Sequence, residues 1–541
     1  MKTRYTTAGL IHQSHRMKYL LAFEGVLVGA IAGGIAIIYR LALSFSEATI
    51  SQVLAYAATH HVAAALWFGA LLVMALVVGW LIHLEPMISG SGIPQVEGEL
   101  AGFFDTRWLR VLLAKIVGGV LCIFGGLSLG REGPSVQLGA MGGKGFSRLL
   151  GRSNVEERYL MTCGASAGLA AAFNAPLAGV MFALEEVHKN FSMTMLLSAM
   201  TASVTADFVS KVVFGMAPVF QFSVAGMLPL RYYGWVVLLG VLLGAAGAFY
   251  NWALARAQDL YAHFHFLKKE LRPVIPFLLA GVLGFTLPQV LGGGHTMIGL
   301  LSGGGLTMGM MALLLVVKFL FSMISFGSGA PGGIFFPLLV LGAYIGGIYA
   351  TFLVEGMGMD SALISNFVIL AMAGFFTAIV RAPITGVVLI MEMTGSLTHM
   401  LSLAVVAVTA EIVAVALGAV PVYDMLLGRM LPNGAVQMPE TDAKTLVSVP
   451  VALGAYVEGR AVWEVDWPQN SLLVAIRRGE GEIIPRGDTR IQKNDMLVAL
   501  TDVALQKDTC RQLKLLCAAP EDKSMPADGA GSEETLRYRH N

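Results

Sequence analysis

Long apolar runs alternate with short polar segments over residues 19–417. The runs Tyr19–Leu43 and Val62–Leu84 are long enough to cross a bilayer as helices, which takes about 20 residues. The first run is also too long for the core of a signal peptide. The same pattern predicts further apolar helices at Val111–Leu129, Met193–Phe214, Trp235–Tyr250, Met308–Ile324, Phe335–Phe352 and Met400–Leu417. The chain is therefore predicted to be an all-α, polytopic membrane protein over most of its length.

Other apolar segments are too short to span comfortably, and glycine or proline interrupts each of them. They are Pro134–Leu150, Tyr159–Ala172, Leu177–Val187, Phe367–Val380 and Ile384–Met393. Broken helices are tolerated at membrane depth only where they pack inside protein or line a wet cavity. They are typical of the core of a transporter or channel.

The membrane region contains an internal repeat. The segment Asn174–Glu185 (NAPLAGVMFALE) matches Arg381–Glu392 (RAPITGVVLIME) almost position for position in residue type. The two copies are predicted to lie in halves at about 19–261 and 273–425. Paired short segments at corresponding positions of two halves indicate a binding site between the halves.

The composition changes after Met430. Alternating apolar residues in Ser471–Ile476 and Asp495–Leu500 predict β-strands. We predict a small soluble α+β domain over 445–505 and a disordered tail over 518–541.

Composition and charge exclude several functions. Hydrophobic residues make up 56% of the chain and charged residues 13%, whereas a soluble domain carries about 25% charged residues. The net charge of +1 leaves no basic face for nucleic acid. The four cysteines form no CxxC pair and are predicted to be structural, without a metal, cofactor or disulfide. No HExxH or P-loop pattern indicates an enzyme, and no TVGYG-like filter indicates a potassium pathway.

Four motifs fall at the ends of the broken helices. Proline suits the first turn of a helix, and glycine permits close backbone approach. The motifs GSGIP, GREGP and GIFFP therefore predict helix starts. A helix start carries a partial charge of about +0.5 and binds anions. Hydroxyls from Ser91 and Tyr423 would complete a site that holds an anion without a full positive charge. The motifs are Gly90–Pro94 (GSGIP), Gly130–Pro134 (GREGP), Gly333–Pro337 (GIFFP) and Pro421–Asp424 (PVYD).

In this order the motifs resemble those of the CLC family of chloride channels and chloride/proton exchangers, over about residues 19–425. The resemblance implies two inverted-topology repeats of tilted and broken helices, and a homodimer with a separate pathway in each subunit. It also implies a chloride site formed by the Ser91 hydroxyl, the backbone amides of Ile334 and Phe335, and the Tyr423 hydroxyl. It identifies Glu132 as the gating glutamate, whose carboxylate occupies the anion's own site until a proton neutralises it.

Glu185 and Glu186 are adjacent, so on a helix they point about 100° apart and cannot both face one pathway equally. The repeat aligns Glu185 with Glu392, which favours a shared structural role for those two residues. Glu186 matches the family's inner proton-transfer glutamate. Its presence favours an exchanger over a channel, although some exchangers lack it.

The stretch from Ala475 to Leu497 resembles the TrkA-type C-terminal domain. The resemblance implies a small regulatory ligand of unknown identity, and a purely structural role in supporting a dimer is the alternative.

Lys2, Arg4, Arg16 and Lys18 precede the first span, so the positive-inside rule places segment 1–18 in the cytoplasm. The predicted function is secondary active chloride/proton antiport across a bacterial inner or plasma membrane, with both termini cytoplasmic. The alternatives are a passive chloride channel of the same fold and a relative selective for fluoride or nitrate. Ser91 stands where nitrate-preferring members carry proline, which favours chloride.

Some polar and small residues within the membrane region are assigned to packing. Gly25, Gly29 and Gly33 have GxxxG spacing and are predicted to pack internally. The linker 262–272 is basic, which places it in the cytoplasm, but the assumed repeat boundaries place it outside, and we give the repeats precedence. Six charges near apolar spans are predicted to be paired or snorkelling: Glu24, Lys115, Asp207, Lys211, Lys318 and Arg381.

Overall fold

The computed structural model describes residues 7–189, 191–220, 222, 226–264, 268–431, 444–479, 481–502 and 505–518. The chain divides into two compact units between Met430 and Leu431. The predicted tail lies outside the described residues from 519 onward, as do residues 1–6 of the N-terminal segment.

The first unit consists of helices whose bounds follow most of the predicted apolar segments. Seven of the described helices are long and apolar enough to cross a membrane. In chain order the helices are α1 (Thr7–Ala57), α2 (His61–Leu84), α3 (Ile93–Ala101), α4 (Trp108–Phe124), α5 (Glu132–Leu149), α6 (Asn154–Phe173), α7 (Pro176–Phe182), α8 (Met193–Phe214), α9 (Tyr233–His263), α10 (Val274–Thr286), α11 (His295–Gly303), α12 (Met308–Gly327), α13 (Phe335–Met357), α14 (Ile364–Val380), α15 (Pro383–Thr394), α16 (Met400–Ala416) and α17 (Val422–Met430).

Helices α1 and α9 extend well beyond the runs Tyr19–Leu43 and Trp235–Tyr250. Apolar runs end at the first polar positions, whereas helix propagation continues through polar residues that favour the helix or face solvent. Helices α10 and α11 lie in no predicted segment, because both are short and glycine-rich sequence flanks α11.

The two inverted halves are α1–α8 and α9–α16. Helix α1 packs on α6 and α8 as α9 packs on α14 and α16, and α5 packs on α6 as α13 packs on α14. This equivalence corrects the predicted boundary between the halves, because α9 begins the second half and does not end the first. The predicted fold class, two inverted repeats of tilted and broken helices followed by a small α+β domain, is confirmed.

The corrected boundary also removes the conflict over the basic linker. Glu270 in the linker accepts from His83 at the end of α2, at 3.0 Å. Helix α2 runs back from the short turn that ends α1, so its last residues lie at the face where α1 begins. The linker therefore lies on the same face as the start of α1, so the repeats and the charge of the linker no longer disagree.

Each of the two repeated glutamates caps the start of a helix in the opposite half. The carboxylate of Glu392 accepts from the amides of Leu177 and Ala178 at the start of α7, at 3.1 and 2.8 Å. The carboxylate of Glu185 accepts from the amides of Ile384 and Thr385 at the start of α15, at 3.2 and 2.8 Å. The predicted shared structural role of Glu185 and Glu392 is thereby confirmed.

The glycines of α1 pack against α8, as predicted. A Cβ on Gly25 would lie 2.6 Å from the carbonyl oxygen of Ser198, and one on Gly33 would lie 3.0 Å from the Cα of Ala206. Glu24, Asp207 and Lys211, which were predicted to be paired or snorkelling, form ion pairs. Glu24 binds Arg152, and Asp207 binds Lys211 at 2.7 Å.

The second unit is a four-stranded antiparallel sheet with one helix. Its strands are β1 (Lys444–Pro450), β2 (Ser471–Arg478), β3 (Gly481–Ile483) and β4 (Met496–Asp502), in the order β1-β4-β2-β3. Helix α18 (Gln506–Cys517), which the sequence analysis did not predict, packs on β1. Buried Asp495 accepts two hydrogen bonds from Arg478, each 2.8 Å long. Burial by itself raises the pKa of Asp495, but Arg478 and the Gln492 amide outweigh it and hold this pKa below its usual value.

Candidate functional site

Backbone hydrogen bonds join the loops that precede α3, α5 and α13. Gly130 and Gly333 exchange two of these bonds, 2.7 and 2.8 Å long, immediately before α5 and α13. Gly332 donates to the carbonyl of Gly90 at 3.0 Å, which connects the GSGIP loop to the same group. The helices begin at Ile93, Glu132 and Phe335, so the three predicted helix starts are confirmed. Their positive ends meet at the centre of the first unit.

Ser91 lies against the first turn of α5. Its side chain is 2% exposed, and its hydroxyl contacts the position where Gly133 would carry a Cβ. The Ser91 hydroxyl is buried and has no hydrogen-bond partner within the described residues. A buried hydroxyl without a partner is costly, so this atom is suited to donate a hydrogen bond to a bound anion.

Ile334 and Phe335 are the N-cap and first residue of α13. Amides at these positions have no carbonyl of their own helix to bind, so they remain available to an anion. The ring of Phe335 packs on Phe182 with centroids 5.9 Å apart.

Tyr423 lies in the first turn of α17, and its side chain is fully buried. Its ring meets the same Phe182 edge-on, with centroids 6.3 Å apart. Its hydroxyl, like that of Ser91, has no hydrogen-bond partner within the described residues. Tyr423 is also within coulombic range of both Glu132 and Glu186. The four predicted chloride ligands thus lie around the joined helix starts, and two of them present unpartnered hydroxyls.

Glu132 is the first residue of α5 and is 1% exposed. Its carboxylate lies beside Gly130 and faces the backbone amide of Phe336. The nearest cation is Arg131, with Nε 3.8 Å from Oε1. No hydrogen bond of ordinary geometry reaches either carboxylate oxygen within the described residues. Glu132 is thus a buried acid held among groups that favour an anion.

Glu186 lies in a π-helical turn that ends α7, and it is 3% exposed. Its Oε1 has no hydrogen-bond partner within the described residues. The ion pair between Lys189 and Asp424 lies within coulombic range of it. Since Glu185 turns away to cap α15, only one of the adjacent glutamates faces the interior here.

Glu97 is a buried carboxylate that the sequence analysis missed. It lies on α3, is 5% exposed, and neither of its oxygens has a partner within the described residues. It is within coulombic range of Glu186, so two acids share this region. The sequence feature that could have revealed Glu97 is an ionisable residue on the short helix that follows GSGIP.

Two buried lysines occupy equivalent positions in the halves. Lys115 donates to the carbonyls of Ile88 and Gly90, at 2.8 and 2.7 Å. Lys318 donates to the carbonyls of Val290 and Gly292, at 2.9 and 2.6 Å. The prediction that these lysines are paired or snorkelling was wrong, because carbonyls of the loops before α3 and α11 replace carboxylates and water. Arg381 is similar, since it donates to the carbonyl of Ala419 at 2.6 Å.

Two cavities extend toward the joined helix starts from opposite ends of the first unit. The proximal cavity, on the face where α1 begins, has a volume of about 480 Å³ and reaches Ser91. Its charged lining residues are Lys269, Arg272 and Arg429, and no carboxylate belongs to its lining within the part of the chain that the structure describes. The distal cavity, on the face where α1 ends, has a volume of about 420 Å³. It is lined by the end of α1, the end of α10 and the loop before α11.

The second unit and much of the first match known families. Residues 74–415 match the family described as voltage gated chloride channel, and residues 446–514 match the TrkA-C domain. The chain is 36% identical to the H(+)/Cl(-) exchange transporter ClcA of Vibrio cholerae over 78% of this chain and 92% of the relative. It is 32% identical to the protein of the same name in Salmonella gallinarum, over 80% of this chain and 93% of the relative.

Solved structures agree with this assignment. A slow cyanobacterial Cl-/H+ antiporter shares 29% identity with a TM-score of 0.73, over 76% of this chain and 98% of its own. A eukaryotic CLC transporter shares the fold at 22% identity, with a TM-score of 0.65 over 76% of this chain and 75% of its own. The chain belongs to the voltage-gated chloride channel family, known as CLC, and carries a TrkA-C domain after its membrane unit.

Proposed function

We propose that the protein is a secondary active antiporter that moves chloride in exchange for protons. The observation that carries this proposal is the pair of buried, unpartnered hydroxyls of Ser91 and Tyr423 beside the joined helix starts. Chloride accepts hydrogen bonds from these hydroxyls and from the amides of Ile334 and Phe335. No lysine or arginine needs to contact the ion, so the ion is released readily.

Glu132 couples the two movements. Its carboxylate competes with chloride for the same positive helix ends, because both are anions. A proton neutralises the carboxylate, weakens that attraction and leaves the site to chloride. The side chain is therefore both the gate for chloride and a carrier of protons.

Glu186 exchanges protons with the solution on the proximal face and passes them toward Glu132. This role is supported by its burial and by its coulombic range to Tyr423, which also interacts with Glu132. Glu97 lies close enough to Glu186 for the two carboxylates to repel each other. Ionising both is therefore unfavourable, and one of the two acids holds a proton. The names of the relatives, which are exchange transporters, support coupled transport over a passive channel.

The assembly and orientation belong to the same proposal. The protein is a homodimer in a bacterial inner or plasma membrane, with both termini cytoplasmic and a pathway in each subunit. The second unit binds a small regulatory ligand and modulates transport, because every predicted anion ligand lies before Met430.

The test is transport by purified protein in liposomes under opposed chloride and pH gradients. We expect an imposed chloride gradient to drive protons uphill, and the reversal potential to depend on both gradients. A reversal potential that follows chloride alone would identify a passive channel. Substituting nitrate or fluoride for chloride in the same vesicles tests the choice of anion.

A further inference from the structure

The two cavities are equivalent in the repeat but differ in charge. Pro86 and Gly90 of the proximal cavity correspond to Pro288 and Gly292 of the distal one. The proximal cavity is basic, which suits the entry of an anion. Among the described residues, the lining of the distal cavity has no lysine or arginine, and its titratable residues are Glu47 and His295. This difference is not expected if both cavities serve only chloride.

Glu47 projects from α1 across the loop that precedes α11. Its Oε1 lies 3.9 Å from the point where Gly292 would carry a Cβ. The carboxylate makes no hydrogen bond or ion pair with any residue that the structure describes. Glu47 is half-buried in the lining of the distal cavity.

His295 lines the distal cavity and also contacts the residues that lie between the cavity and Glu132. Its ring packs on the ring of Phe336 with centroids 4.0 Å apart. The backbone amide of Phe336 faces the Glu132 carboxylate. Gly293, also in the lining, lies against the same layer, since its Cβ position is 3.6 Å from both the Leu129 carbonyl and the Phe336 ring. A single layer of residues therefore separates the distal cavity from Glu132.

The charged groups that face Glu47 and His295 come from several elements. Glu47 interacts with Glu132 across this layer, so the charge of one carboxylate is felt by the other. Arg131 before α5 and Lys318 on α12 are the cations that face both Glu47 and His295, and Arg40 on α1 also faces His295.

We propose that Glu47, with His295 beside it, is the distal proton-exchange group of this transporter. Glu132 is almost fully buried and needs an acceptor to exchange protons with the distal solution. A proton leaves the Glu132 carboxylic acid for water that reaches it from the distal cavity, and this water passes a proton to the Glu47 carboxylate. Release from Glu47 to the solution then restores the carboxylate, and the reverse sequence brings protons in. This inference rests on the proposed antiport.

The test compares Glu47→Gln with the unchanged protein in membrane vesicles of both orientations. A Thr59→Cys label in the α1–α2 turn, reacted with an impermeant maleimide, identifies vesicles that expose the distal face. The pH outside the vesicles is varied while chloride-driven proton movement is recorded. We expect Glu47→Gln to slow exchange by at least about tenfold when the distal solution is alkaline, because a positioned proton-transfer group contributes about 10²- to 10⁴-fold and cavity water replaces it only in part. The ratio of chloride to protons stays unchanged, and proximal pH dependence is unaltered.

Two further variants make the result decisive. Glu355→Gln removes an exposed carboxylate at the end of α13, outside the distal cavity, and leaves the distal pH dependence unchanged. In a Glu132→Gln background, Glu47→Gln leaves passive chloride flux unaltered, because no proton is carried. A faster chloride flux in that background would make Glu47 an electrostatic barrier to anions and overturn the proposal. Unaltered exchange by Glu47→Gln would also overturn it, whereas absence of exchange in the unchanged protein would instead refute the antiport itself.

Discussion

Replacing Glu132 with glutamine tests the coupling most directly. The substitution keeps the shape of the side chain at the start of α5 and removes both its negative charge and its titratable proton. The carboxylate is 1% exposed and lies among the groups that bind the anion. Glutamine is neutral and is attracted to the positive helix ends much more weakly than a carboxylate is. Chloride therefore gains access to the site at every pH.

The size of the effect follows from the burial of the site. Two unit charges about 4 Å apart interact by about 4 kcal/mol at an effective dielectric constant of about 20. An ionised Glu132 therefore weakens chloride binding at the adjacent site by up to about a thousandfold, since about 1.4 kcal/mol corresponds to a factor of ten. We expect Glu132→Gln to raise chloride affinity toward this limit at alkaline pH and to have little effect at acid pH.

Calorimetric titration with chloride at several pH values measures the affinity, and flux in liposomes measures coupling. The variant should pass chloride passively, and its reversal potential should follow the chloride gradient alone. Glu355→Gln serves as the matched control, because it removes an exposed carboxylate far from the helix starts. If Glu132→Gln still drives protons uphill, the reasoning is wrong, and if it carries no chloride, Glu132 is structural and not a gate.

Five further substitutions, in four tests, examine other parts of the protein. Glu186→Gln keeps the side-chain shape but cannot release a proton, so proton movement in liposomes should cease while chloride still flows; coupling at the original ratio would place the inner acceptor elsewhere. Ser91→Pro removes a hydroxyl whose bond to an anion is worth about 1.5–3 kcal/mol, so the flux ratio of nitrate to chloride should rise, and an unchanged ratio counts against Ser91 as a ligand. Alanine at Glu185 or Glu392 should each destabilise the first unit by about 1–3 kcal/mol in detergent melts, with a control at exposed Glu355, and no effect at either position contradicts the reciprocal capping. Asp495→Asn should destabilise the second unit near neutral pH, and the difference should shrink as the pH falls below about 4. The pKa of Asp495 is lowered in the folded chain, so its stabilising effect is complete above the usual aspartate pKa and is lost as the pH falls through the lower folded-state pKa. Hydrogen exchange of β2 and β4 in the full chain measures the difference, and a pH-independent difference refutes the argument.

Local sequence determined much of the membrane unit. Helix bounds at Met193, Met308 and Met400 follow the apolar runs, because a run of apolar residues in a bilayer satisfies its backbone only as a helix. The helix starts at Ile93, Glu132 and Phe335 were also readable, since glycine and proline restrict the backbone locally. The residues of the candidate site are therefore found from motifs that act over a few positions.

The boundary between the halves was decided by packing. Only the contacts of α1 with α8, and of α9 with α16, show that α9 begins the second copy. The extent of α1 and α9 was also misjudged, because their ends are stabilised by neighbours and not by hydrophobicity alone. The sequence repeat was clear only where the short segments around Glu185 and Glu392 match.

The partners of buried charges were decided by tertiary structure alone. Lys115 and Lys318 bind loop carbonyls that lie 25 to 28 residues away along the chain, and no local pattern specifies these partners. The same holds for the asymmetry of the cavities, since Glu47 and His295 come from different halves and meet only in the folded chain. A sequence determines which groups exist and which helices form, whereas burial and long-range contacts determine whether a charge faces carbonyls, water or another charge, and so what it does.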